Sequence, residues 1–135
     1  MAYKTAADLD RCRRHLETLR IDRLVQWDVL AFIYRHGTSL ASAQQIALLV
    51  GYPRAPVGAA LDSLASNGLL QRSRSSGGVR LYRFALAVAD NPRQQALEEL
   101  LKMAEPREGR LLLIGHLRQN AADKDRQGRG GLHLA

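Results

Sequence analysis

Ala47, Gly51 and Val57 constrain this chain more than any other feature of it. They lie in the stretch "ASAQQIALLVGYPRAPVGAALDSLASNGLL", where two short apolar segments flank "GYP". Two helices that meet at a tight angle need this pattern: a small residue, Gly four positions on, then a β-branched residue six further. Ala47 marks the closest approach, where only a small side chain fits. Gly51 marks the turn, where the chain takes a positive φ that other residues resist. Val57 plugs the angle, and Ile46, Val50 and Ala60 fill the surrounding apolar positions. Each segment also has its own start and stop signals. Ser42 and Gln45 form an S-x-x-Q capping box that opens the first. Pro53 opens the second, where a missing N–H costs nothing, and Pro56 still falls within its first turn. Val57, Leu61 and Leu64 make that helix's buried stripe, and Asn67-Gly68 end it.

The elements on either side set this pair in a larger order. Thr5 can cap a first helix reaching Leu19, with Leu9, Cys12, Leu16 and Leu19 as one apolar stripe on a charged surface. Asp22 can cap a second helix to about His36. There Val25, Val29, Phe32 and Ile33 share a face that Leu24, Trp27 and Leu30 widen, and Gly37 is the stop. A face this wide belongs in the middle of a fold. After the helix pair, "LLQRS" and "VRLYRF" predict two strands joined by a tip around "RSSGG", a two-stranded β-hairpin. Asn91-Pro92 opens a helix to about Ala104, and Pro106 restarts one reaching about Asn120. The end, "DKDRQGRGGLHLA", is Gly-rich and mixed in charge and is expected to be flexible.

Helix, helix, tight turn, helix, hairpin is the order of a winged helix-turn-helix. The expected fold class is mainly α with a small two-stranded β-hairpin and extra helices at both chain ends. The division is an N-terminal helix over 1–20, the winged domain over 21–88, C-terminal helices over 89–120 and a flexible tail over 121–135.

The segment "VGYPRAPVGAALDSLASNGLLQRSRSSGGVRLYRF" resembles the DNA-reading core of MarR-type and related winged-helix transcriptional regulators. Val57, Leu61, Leu64, Gly68, Leu69, Leu70 and Arg72 stand at the positions of that family's helix-to-strand passage, and "WDVLAFIYRHG" is similar to its preceding core helix. The likeness spans about 21–86. It departs in the wing, which lacks the acidic residue usual before the wing arginine. The resemblance implies a bacterial regulator that binds double-stranded DNA and pairs into a homodimer through helices at both chain ends. Leu9, Leu16, Leu97, Leu101, Leu111 and Ile114 are the candidate dimerisation residues. A protein-interaction or scaffold module, and a plasmid or mobile-element protein for replication or partition, are the rival uses of such a fold. A small-molecule effector is compatible with the resemblance but is not identified by any residue.

The residues can be asked to support that role. The second helix of such a pair enters the major groove with its N-terminal residues at base edges. Arg54, Ala55, Gly58, Ala59 and Asp62 should face it. Arg54 alone is a strong base reader, able to fork onto guanine O6 and N7. Ala55 or Ala59 can touch a thymine methyl, and Asp62 should turn from phosphates or pair with an arginine. This is a thin recognition face, so most of the affinity should come from the DNA backbone. The wing suits that task. Residues 67–84 carry Arg72, Arg74, Arg80 and Arg83 and no acid. Ser73, Ser75 and Ser76 are short phosphate donors, and Gly77-Gly78 allow close approach. Ser42, Gln44 and Gln45 at the start of the capping-box helix suit a phosphate as well.

Charge agrees with this. The chain of 135 residues has a formal net charge of +7, which favours anionic partners, nucleic acid first. Its basic residues are nearly all arginine, the better fork for phosphates and base edges. The single cysteine, Cys12, excludes an internal disulfide and fits a reducing compartment. It falls on an apolar stripe, so a packed thiol is favoured over a redox sensor. Cys12 and His15 lie at metal-ligand spacing but lack companions, so neither a metal nor a cofactor is expected. Trp27 is read as core rather than as the wall of an effector pocket. No paired carboxylates, nucleophile-base set or phosphate-cradling loop appears, so no enzyme is expected. The N-terminus has no apolar signal region, and "LLLIGHL" is too short to span a bilayer. A cytoplasmic protein, not a membrane one, is expected.

Overall fold

The computed structural model describes residues 6–36, 41–73, 77, 79–85 and 91–134, with backbone alone at 91 and 122–134. The elements are α1 (Ala6–Leu19), α2 (Leu24–Arg35), β1 (Ala41–Ser42), α3 (Ala43–Val50), α4 (Arg54–Ser66), β2 (Leu70–Arg72), β3 (Leu81–Phe84), α5 (Asn91–Ala104) and α6 (Arg107–Leu134). Thr5, Gly37, Arg74, Ser75, Ser76 and Gly78, to which the sequence assigns roles, lie outside the described residues. The chain divides into two compact units, Val25–Gln95 and Met1–Leu24 with Ala96–Ala135.

The first unit carries the helix pair and the wing. The capping box at α3 is complete. Ser42 Oγ accepts from the Gln45 N–H at 3.2 Å, and Gln45 Oε1 accepts from the Ser42 N–H at 2.9 Å. Gly51 ends α3 in the left-handed region at φ 79°, and its N–H returns to the Ala47 carbonyl. Ile46, Val57, Leu61 and Leu64 are fully buried, and Ala47 and Ala60 nearly so. Leu69 and Leu70 anchor the wing in the same core. Tyr34 of α2 meets Phe84 of β3 edge-on, with ring centroids 5.1 Å apart. Tyr52, just past the turn, donates to Asp28 Oδ2 at 2.6 Å and ties the helix pair to α2. Trp27 is buried to 1% exposure, as a core side chain.

The wing differs from the two-stranded hairpin expected. It is the outer part of a three-stranded antiparallel sheet in the order β1-β3-β2. Leu70 pairs with Phe84 and Arg72 with Tyr82, while Ala41 and Ser42 pair with Tyr82 and Leu81 on the other edge of β3. β1 is two residues long, too short to carry an alternation of polar and apolar positions.

The second unit is helical. The buried stripe of α1 is Asp8, Cys12, Leu16 and Leu19. Leu9, expected on that stripe, is exposed, and Asp8 takes the inner position with its carboxylate paired to Arg11. Ala96, Leu97, Leu100 and Met103 of α5 and Leu113 and Leu117 of α6 complete this unit's core, with α1 packed on α6. Gly109 lies where a methyl group would overlap the Met103 carbonyl oxygen, so the turn from α5 into α6 admits only glycine there. The α6 backbone stays helical to Leu134, well past the expected end at Asn120. Ala121, Ala122, Lys124, Arg126 and Gln127 are good helix formers and outweigh the glycines that follow. At the start of α2, Arg23 rather than Asp22 precedes the first helical residue.

Candidate nucleic-acid interface

Three elements of the winged unit converge on one open cleft of about 350 Å³. The capped start of α3 contributes Ser42 and Gln44, the first turn of α4 contributes Arg54, and the chain entering β3 contributes Arg80. The sequence had assigned all four to one surface, and the fold brings them together from positions up to 38 residues apart. Arg54 and Arg80 are exposed and make no ion pair among the described residues. Two exposed arginines lining one cleft form an anion-attracting surface.

The remaining assigned residues divide by what holds them. Arg72 reaches Asp62 Oδ1 at 3.2 Å, so an acid on α4 offsets its charge. Arg83 forks onto Gln71 Oε1 through Nε at 2.9 Å and through a terminal nitrogen at 2.6 Å, across the β2–β3 pair. Both arginines are exposed but braced, Arg72 by α4 and Arg83 within the wing. Ser73, expected as a phosphate donor, closes the base of the wing. Its N–H donates to the Leu81 carbonyl at 2.8 Å, and its Oγ accepts from the Leu81 N–H at 3.0 Å. Gln45 is exposed, with Oε1 committed to the capping box.

Along α4, Ala55 and Ala59 are exposed and Gly58 half-buried, on the same outward side as Arg54 and Asp62. A Cβ added at Gly58 would meet nothing within 4 Å. The end of α4 is held by Arg93, which donates to the Asn67 carbonyl while Gly68 turns at φ 79°.

In the helical unit, Leu16 and Leu97, two of the six candidate dimerisation residues, are already buried within the chain. Leu9 and Leu111 are exposed, at 44% and 56%, and Leu101 and Ile114 half-buried. Burial pushes the Cys12 thiol up to about 11, which keeps it protonated and unreactive. Desolvation lowers the pKa of His15 against the pull of nearby Glu99, with Arg14 and Arg11 adding to the lowering. His116 is lowered by desolvation and by Arg13, against Glu17. No group of three or more His, Cys, Asp or Glu that could hold a metal occurs among the described residues. Among the same residues no helix is long and apolar enough to cross a membrane.

A helix pair with an αL glycine turn, a three-stranded sheet and a basic cleft at the start of the second helix define a winged helix-turn-helix. Residues 21–80 match the model of the MarR family. Among solved structures, a complex of the S. aureus protein MepR with DNA is similar at 13% identity, with a TM-score of 0.53 over 93% of this chain and 90% of that one. A mutant of S. aureus MepR bound to an oligodeoxyribonucleotide is similar at 17% identity, with a TM-score of 0.53 over 93% and 88%. At these identities the likeness establishes the fold. No curated protein matches the chain.

Proposed function

We propose that this chain is a cytoplasmic, DNA-binding transcriptional regulator of the MarR type, acting on double-stranded DNA as a homodimer and performing no catalysis. The observation that carries this reading is the cleft in which Ser42, Gln44, Arg54 and Arg80 converge, with both arginines unpaired among the described residues. The match of residues 21–80 to the MarR family and the DNA-bound state of the similar MepR structures support it. Arg54, at the first turn of α4, reads a base edge from the major groove. Arg80, with the wing arginines, holds the DNA backbone. Ala55, Gly58 and Ala59 add shape rather than hydrogen bonds, so base readout is modest and phosphate contacts supply most of the affinity. The exposed Leu9 and Leu111, with Leu101 and Ile114, offer the face for a second copy.

The test is fluorescence anisotropy of a labelled random-sequence duplex titrated with the protein at low and near-physiological salt. Affinity should fall steeply with salt, at a log–log slope of roughly −0.9 for each neutralised phosphate. No binding even at low salt would overturn the reading.

A further inference from the structure

The outward face of α3 is not that of a solvated helix. Leu48 is 77% and Leu49 68% exposed, side by side on an eight-residue helix. Next to them, between the end of α3 and the start of α4, lies a groove of about 310 Å³ lined by Gln44, Ala47, Leu48, Tyr52 and Arg54. Its floor is apolar. The Tyr52 ring is fixed as its wall by the hydroxyl's bond to Asp28 at 2.6 Å. Its one charged lining residue is Arg54, which makes no ion pair among the described residues. An isolated exposed leucine is ordinary, but an adjacent pair beside an apolar groove is a patch with a use.

We infer that this groove docks an acidic, apolar protein segment, with a large apolar side chain against Ala47, Leu48 and Tyr52 and a carboxylate on Arg54. Charge selects the occupant. Among the described lining residues Arg54 is the only charged one, Asp28 behind the wall is taken up by the Tyr52 hydroxyl, and the chain as a whole carries +7. A basic segment is repelled, whereas an acidic one is attracted and can fork onto the guanidinium. Gln44 and Arg54 line both this groove and the basic cleft beside it. The segment and the DNA therefore compete for Arg54, and docking releases the duplex. This last consequence rests on the DNA-binding reading above; the docking itself does not.

The probes are two labelled amphipathic peptides of equal length and leucine content, one with Glu and Asp at its polar positions and one with Lys. They are titrated against the full chain by anisotropy, with and without the random duplex. The acidic peptide should bind, the lysine peptide should not, and the acidic peptide should displace the duplex. Leu48→Ser should weaken peptide binding at least tenfold while leaving duplex affinity and the melting temperature unchanged. Arg54→Ala should weaken both ligands. Equal binding of the two peptides, no binding of the acidic one, or an acidic peptide indifferent to Leu48→Ser would overturn the assignment. Peptide binding by a chain that binds no duplex would uphold the groove and sink the DNA reading instead.

Discussion

At the scale of single residues, the described wing arginines Arg72, Arg80 and Arg83 are not equivalent. Arg80 makes no ion pair among the described residues, whereas Arg72 is offset by Asp62. Arg80→Ala should therefore flatten the salt dependence of duplex binding by about 0.9 in the log–log slope. Arg72→Ala should change the slope less, because an arginine already paired to Asp62 neutralises no phosphate. Equal effects would mean that the pair opens on DNA. Gly58 is a sharper case. It sits in a helix interior with open space where a Cβ would go, so nothing within the chain requires glycine. Gly58→Ala should raise the melting temperature, since Gly costs about 1 kcal/mol against Ala in a helix. The same change should weaken duplex binding if α4 approaches base edges closely there. A variant that is more stable and binds equally well would remove Gly58 from the interface.

At the scale of elements, the cap and turn of α3 were the most legible part of the sequence and the sheet the least. Ser42, Gln45 and Gly51 form the cap and turn that their spacing predicts, because both are decided within four residues of chain. Ser42→Ala should cost about 1 kcal/mol in chemical denaturation. β1 escaped notice because its pairing with β3 joins residues some 40 positions apart, and a two-residue strand leaves no local trace. The cleft was legible as a set of residue types at helix starts and on a wing. The bracing of Arg72, Arg83 and Ser73 was not, since it depends on cross-strand and helix-to-strand partners. The exit of α1 was missed as well. Arg20 takes φ 58°, and the Ile21 N–H closes back to the Leu16 carbonyl, a left-handed helix ending with arginine where glycine is usual. Arg20→Gly should stabilise the fold by about 1 kcal/mol in the same denaturation assay.

At the scale of the whole molecule, two histidines of the helical unit set a pH response. Both His15 and His116 have folded-state pKa values below 6.5, chiefly through desolvation. A depressed folded value means that the unfolded chain binds protons first. Their contribution to stability is complete above about 6.5 and is lost as pH falls through the lower folded values. Melting temperature should accordingly decline as pH falls below about 6.5, and replacing both histidines with Gln should shrink that decline. An unchanged profile in the double variant would place the acid sensitivity elsewhere.

Ser42 belongs to two structures at once. It is the last residue of β1, paired with Leu81, and it is the residue whose side chain and N–H hold the first turn of α3. Leu81 in turn is bonded to Ser73 at the root of the wing. Ser42 is thus the residue at which the edge strand beside the wing and the capped start of α3 meet. A change at Ser42 therefore reaches the edge of the sheet, the start of the helix and the cleft between them together.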